Sequence, residues 1–117
     1  MFNVITVGSA TVDTFASVSP KYFSKNDIKF HPGDKILVDK TQTHCGGGAI
    51  NVAVSFSRLG LKAAFLGKIG CGHNSQRIIN RLKDEKVGTS LVKRESTSRT
   101  GTSFIVEAEG KDRLVLA

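Results

Sequence analysis

The chain predicts an α/β domain, on three observations. A short apolar, β-rich run, Phe2 to Gly8 (FNVITVG), ends on glycine. A glycine triplet, Gly46-Gly47-Gly48, stands directly before a stretch with helical apolar spacing. A second apolar run, KAAFLGKIG, returns about a dozen residues after that helix begins. Strand, helix and strand in this succession form the rhythm of a βαβ unit with parallel strands.

Each element has a local reason. The opening run is continuous rather than alternating, the pattern of a strand buried on both faces. From Thr11 to Thr43 the texture changes to β-branched residues mixed with polar ones around a Pro32-Gly33-Asp34 turn signal, which predicts short, partly exposed strands in a small protruding sheet. After the glycines, Ala49, Ala53 and Phe56 share one helical face with Ile50 and Val54 beside it. Gly60 closes that helix at the usual C-terminal position. Asn74 is the expected N-cap of a second helix, lined by Ile78, Ile79 and Leu82. TSLVKRE reads as a strand and KRESTSRT as polar loop. The final GTSFIVEAEGKDRLVLA reads as a hairpin turning near Glu109 to Asp112, with Phe104 and Val106 as its half-buried positions.

The bulk numbers narrow the class. A length of 117 residues suits one domain with one core, and 39% hydrophobic with 23% charged residues is the composition of a globular protein. No apolar run approaches the ~20 residues that span a bilayer. The opening residues lack a basic leader and a small-residue cleavage site, so no signal peptide is expected. Cys45 and Cys71 are widely spaced thiols that suit a reducing cytoplasm better than a disulfide framework. Lys and Arg outnumber Asp and Glu by 17 to 10, a net +7. The basic residues are scattered, without an arginine block or aromatic interleaving, so neither a nucleic-acid nor a membrane partner is expected. The ending, RLVLA, is an apolar strand-like run without cap or polar tail. Complete domains usually cover such an edge, so the expectation is a chain cut midway through a larger fold.

Three glycines ahead of a helix can expose bare N–H groups to a ligand at the positive helix terminus. Neither the dinucleotide fingerprint nor the P-loop fits: Asn51 stands where the third glycine belongs, and no Gly-Lys-Ser/Thr follows. On local sequence alone, a tight turn without ligand and a binding loop both remain open. His44, Cys45, Cys71 and His73 could be read as a zinc set, but the adjacent His44-Cys45 cannot easily aim both side chains at one ion, and no metal site is expected. A thiol nucleophile at either cysteine lacks an orienting third group.

The longer spacing separates the two readings of the glycines. Small residues follow Gly46-Gly47, then Asn51 and, two positions on, Ala53; six residues separate Ala53 from Gly60, and nine separate Gly60 from Gly70. In this the chain resembles the N-terminal signature of the ribokinase-like (PfkB) carbohydrate kinase family. VITVGSATVDTF is similar to that family's opening strand, and STSRTGTSFIVEAEGKDRLVLA to its Thr-Gly segment followed by a hairpin, so the resemblance covers nearly the whole chain. It implies the N-terminal part of a three-layer α/β/α fold, with a small β-sheet lid built from segments at about 11–43 and 101–117 and with the C-terminal nucleotide-binding half absent.

The resemblance also implies a substrate site: Asp13 as acceptor for sugar hydroxyls, the Gly46-Gly47 backbone beside the sugar, Asn51 as a side-chain ligand, and Thr11 as a further polar contact. The chemistry is coherent in itself, because a polyol calls for a carboxylate acceptor, an amide that donates and accepts, and unobstructed N–H groups. Gly48 departs from the lysine that ribokinases carry, so a preference for ribose does not follow. Cys71-Gly72-His73 replaces an acidic residue common in the family. The activity implied is transfer of the γ-phosphate of ATP, with Mg²⁺, to a sugar or nucleoside hydroxyl. The general base belongs to a Gly-Ala-Gly-Asp type motif, which these residues lack, so no catalytic residue, no bound ATP or Mg²⁺ and no phosphoryl transfer are expected of this chain alone. A homodimer through the lid is a further implication. The competing reading is a non-catalytic sugar-binding or lid-mediated dimerisation module.

Overall fold

The structure is a computed structural model describing residues 1–117. In chain order the elements are β1 (Val4–Val7), β2 (Thr11–Val18), a 3-10 turn at Pro20–Tyr22, β3 (Val38–Gly46), α1 (Gly48–Arg58), β4 (Ala63–Cys71), α2 (His73–Asp84), β5 (Val92–Arg99), β6 (Gly101–Glu107) and β7 (Leu114–Leu116). The chain divides into two compact units. The first holds Met1–Val12 and Cys45–Thr102, the second Asp13–His44 and Ser103–Ala117.

The first unit is an α/β body. Its sheet runs β1-β4-β5, all parallel, with Val4 opposite Ala63 and Gly67 opposite Val92. Both helices pack on one face, where Ile50, Ala53 and Val54 of α1 and Ile78, Ile79 and Leu82 of α2 form a single buried cluster with Phe65 and Ile69 of β4. Phe65, Ile78 and Leu82 are wholly buried, and each such side chain contributes roughly 1.5–3 kcal/mol through removal from water. Most of the opposite face is exposed, with Ile5 at 48%, Val7 at 71% and Leu66 at 41%, although Ala64 on that face is buried. Residues 1–117 thus supply one helix layer and one sheet layer.

Helix α1 ends as its sequence predicts. Gly60 takes φ +91°, the Gly60 N–H donates to Ser57 O and the Leu61 N–H to Phe56 O. Helix α2 does not start as predicted. Gly72, at φ +93°, is the N-cap and no side chain caps the helix; Asn74 lies inside the first turn. The sharp turn out of β4 needs glycine's backbone freedom at this point, which places the helix start two residues before the polar signal. The KRESTSRT segment is likewise not a loop but most of β5, which pairs with β4. It is an edge strand exposed along most of its length, so polar side chains suit it, and its charges blunt an otherwise adhesive edge.

The C-terminal ends of the helices are tied together. Arg58 donates from Nε to Glu85 Oε2 at 2.8 Å and from a terminal nitrogen to Oε1 at 2.6 Å; Arg81 adds a contact at 2.9 Å, and Ser57 Oγ donates to the Glu85 carbonyl at 2.6 Å. The hydrogen bonds from Arg58, reinforced by the charges of Arg81 and Arg58, hold the Glu85 carboxyl below its ordinary value against the opposing effect of burial. A group with a lowered folded pKa stabilises above its unfolded pKa and loses that contribution as pH falls through the folded value. Glu85→Gln is therefore expected to lower the melting temperature at pH 7, and the gap to the unmodified protein should close as the pH drops through and below the carboxylate range. A gap constant from pH 7 to pH 3 would exclude the ion pair as its origin.

The second unit is built on a four-stranded sheet of order β3-β2-β6-β7, with β6 and β7 antiparallel and Phe104 opposite Leu116. The expected hairpin is present, and Lys111 N–H closes its turn onto Ala108 O. The inward face of β6 differs from the sequence expectation: Ser103 and Ile105 are buried, whereas Phe104 is 58% exposed. The buried position next to Ile105 accepts a serine because that hydroxyl has a carboxylate partner, described below. The net charge is unevenly divided, with ten Lys and Arg against three Asp and Glu in the first unit and seven against seven in the second. The excess thus belongs to the helices, the loops and edge strand β5 of the first unit. No helix is long and apolar enough to cross a membrane.

Candidate functional site

The glycine triplet joins β3 to α1. Gly46 ends the strand and is buried, Gly47 is the N-cap of α1 at φ +101° and ψ +133°, and Gly48 is the first helical residue. The N-cap residue is a glycine with no side chain to cap the helix, and no acidic residue stands in its first turn, so the helix supplies no carboxylate of its own at the positive end of its dipole. The Asn51 N–H donates to Gly47 O at 3.0 Å, which places the Asn51 amide one turn into the helix on an exposed position. Thr6 anchors the same turn from β1, its hydroxyl donating to Ala49 O at 2.8 Å.

The glycines also answer a packing demand. A Cβ on Gly47 would stand 2.3 Å from Ser9 O and 3.0 Å from Ala10 Cα. The chain's own backbone, just ahead of Thr11, fills the space a side chain would need. At Gly48 nothing lies within 4 Å of the same construction. One glycine of the triplet is thus demanded by the fold, and its neighbour leaves open space beside the helix terminus. Gly70 is constrained in the same way as Gly47, with Ser98 O and Arg99 C each 2.3 Å from a hypothetical Cβ, and its N–H is bound by Thr100 Oγ1 at 3.1 Å. Two of the signature glycines are therefore places where backbones touch.

Of the predicted site residues, Gly46, Gly47 and Asn51 are brought together at the N-terminus of α1. Thr11, partly buried at the start of β2, belongs to the same unit. Asp13 belongs to the second unit, where it is partly buried on β2 and accepts a hydrogen bond at Oδ1 from Ser103 Oγ at 2.6 Å. Sequence reasoning passed over Ser103. Its only trace was a serine in phase with the apolar Ile105 on a strand of period two. His44 is exposed on β3 and meets Phe15 edge-on, with ring centroids 5.8 Å apart, while Cys45 packs against the core of the first unit and Cys71 is exposed. No three His, Cys, Asp or Glu side chains are placed to hold one ion.

Chemically, the first unit presents backbone donors and a neutral amide at the start of α1, groups that suit hydroxyls. That set contains no acid–base pair poised to move a proton and no phosphate cradle of the P-loop type.

Comparison with known proteins identifies the family. The model of the pfkB family carbohydrate kinases matches residues 1–117. The ribokinase of Bacillus subtilis (strain 168) is 31% identical over 116 residues, which are 99% of this chain and 37% of that protein. The ribokinase of Arabidopsis thaliana, solved with ribose and ATP, superposes with a TM-score of 0.83 at 20% identity, over 98% of this chain and 35% of that one. The nucleoside kinase of Methanocaldococcus jannaschii, an archaeal member of the ribokinase family, gives 0.78 at 20% identity over 99% of this chain and 36% of that one. The chain thus spans little more than a third of the length of these relatives.

Proposed function

Because the chain belongs to the pfkB family of carbohydrate kinases, we propose that residues 1–117 are the substrate-side part of an ATP-dependent kinase acting on a sugar or nucleoside hydroxyl. The observation that carries this reading is the uncapped, glycine-built terminus of α1 with Asn51 one turn in, at the spacing of the family signature. In this reading the Gly46-Gly47 backbone and the Asn51 amide bind sugar hydroxyls, Asp13 accepts from them, and Thr11 adds a polar contact. ATP and Mg²⁺ are held by the remainder of a ribokinase-length protein, which also supplies the general base. No step of phosphoryl transfer is assigned to a residue of this chain. The exposed sheet face at Ile5, Val7 and Leu66 supports a larger parent, since all-parallel sheets are stable with both faces covered.

Calorimetric titration of the ribokinase-length protein with pentoses, hexoses and nucleosides tests the site. Asn51→Ala is expected to weaken binding of the preferred ligand roughly 3- to 10-fold, the worth of one or two neutral hydrogen bonds. Unchanged affinity would remove Asn51 from the site.

A self-association reading has its own support. Strand β7 ends the sheet of the second unit, and Phe104, Val115 and Leu116 are 58%, 50% and 54% exposed there. Such an apolar edge is a surface on which two copies can pair. Sedimentation of the ribokinase-length protein should show a dimer that Phe104→Lys weakens; a monomer at every concentration would contradict pairing.

A further inference from the structure

Asp13 and Ser103 both lie in the second unit, on strands β2 and β6, which are neighbours in its sheet. Ser103 is only 8% exposed, yet it is polar, and its hydroxyl donates to Asp13 Oδ1 at 2.6 Å. That is a short hydrogen bond, within the range of a hydroxyl donating to a carboxylate. The same two strands carry a second hydroxyl–carboxylate pair, Ser17 Oγ to Glu107 Oε1, but at 3.2 Å. The two pairs differ in direction as well as length. At Ser103 the carboxylate comes from β2 and the hydroxyl from β6, whereas at Ser17 the roles are exchanged. A serine among inward-facing apolar neighbours is costly unless its hydroxyl is satisfied, and here the partner that satisfies it is the carboxylate assigned to the substrate.

An aspartate has two side-chain torsions. With Oδ1 tied to a buried hydroxyl, the carboxylate plane is fixed before any ligand arrives, and the ordering cost that a mobile acceptor would incur on binding falls away. We propose that Ser103 is a positioning residue for sugar recognition, holding the Asp13 carboxylate in the orientation that accepts substrate hydroxyls. The role rests on the reading of Asp13 as a substrate acceptor. It predicts an effect on sugar affinity that is separable from effects on ATP or on turnover.

The test uses the ribokinase-length protein that carries these residues, assayed for ATP-dependent phosphorylation of D-ribose, D-fructose and adenosine, with kinetics followed on whichever turns over fastest. Ser103→Ala should raise the KM for that substrate roughly 3- to 10-fold, the scale of one immobilised side chain, while leaving kcat at saturating substrate and the KM for ATP within about twofold. Ser103→Thr keeps the hydroxyl and should restore the KM, and Ser103→Cys, which has a similar shape but donates weakly, should behave like Ser103→Ala. Ser17→Ala removes the other pair and should leave all three parameters unchanged. Asp13→Asn separates the two levels of the argument. If Asp13→Asn raises the KM strongly and Ser103→Ala does not, the positioning role is wrong and the acceptor reading stands. If Asp13→Asn has no effect, or if none of the three compounds is phosphorylated, the acceptor reading fails and the positioning role fails with it. A Ser103→Ala protein whose kcat falls and whose KM for ATP rises as its melting temperature drops would mark Ser103 as purely structural and overturn the proposal.

Discussion

Gly47→Ala is expected to destabilise the protein by about 3–5 kcal/mol, through backbone strain and steric overlap acting together. Gly47 sits at φ +101°, where an L side chain costs of order 1–3 kcal/mol. Its Cβ would also stand 2.3 Å from Ser9 O, a collision with backbone rather than with a side chain that could rotate away. Relief requires moving either the β1–β2 connection or the start of α1, and each carries core residues: Ala10 and Val12 on one side, Ile50 and Ala53 on the other. Forcing extra volume into a packed site of this kind costs a further 1–3 kcal/mol, roughly. Against a total stability of about 5–15 kcal/mol, the loss should appear as a fall in melting temperature of more than about 10 °C. The neighbouring Gly48→Ala supplies the contrast. Its Cβ meets nothing within 4 Å, and at the first position of a helix it should be neutral or mildly stabilising, by up to about 1 kcal/mol. Equal melting temperatures for the two variants would refute the packing role of Gly47.

Asp13→Asn is expected to weaken sugar affinity roughly 10- to 100-fold, the usual cost of losing a charged hydrogen-bond acceptor. The substitution keeps the shape of the side chain and an oxygen that can still accept from Ser103. What it removes is the negative charge and one acceptor, replaced by an N–H₂ that faces sugar hydroxyls as a second donor. Stability should change little, because Asp13 is only partly buried on β2. Direct titration with the preferred sugar or nucleoside is the deciding measurement. A loss of affinity accompanied by unfolding would point to a structural role, and an undiminished affinity would remove Asp13 from the site.

Much of this architecture is legible in the residues, and the exceptions have physical causes. The β1 run, α1 with its Gly60 terminus, β4 and the final hairpin each carry a dense local signal in apolar period or turn chemistry. Strand β5 does so only in its first half, where TSLVKRE reads as a strand. The STSR that follows carries no strand signal, and it pairs because β4 offers an edge and because a solvated edge tolerates polar side chains on both faces. The start of α2 differs from the expectation because Asn74 is a good cap in isolation, whereas Gly72 answers to the turn that brings the chain out of β4. On β6 the apolar Phe104 and Val106 outweighed Ser103, since a serine reads as outward-facing unless its partner, ninety positions away, is known.

The site was legible to a different degree. Asn51 and the glycines are fixed by spacing, which sequence preserves. The reason for glycine at position 47 is a tertiary contact with Ser9 that no local window contains. The glycines therefore serve two ends in the proposed reading: Gly47 lets two backbones touch, and the glycine-built helix terminus receives the hydroxyl groups of the substrate.

We propose that residues 1–117 recognise the substrate of a carbohydrate kinase and that transfer needs the rest of the protein. One measurement addresses it directly: ATP-dependent phosphorylation of a panel of pentoses, hexoses and nucleosides, assayed side by side for the 117-residue chain and for a ribokinase-length protein that begins with it. The expected result is turnover of at least one compound by the longer protein and none by the shorter. Phosphorylation by the 117 residues alone, or the absence of any sugar or nucleoside kinase activity in the longer protein, would contradict the account.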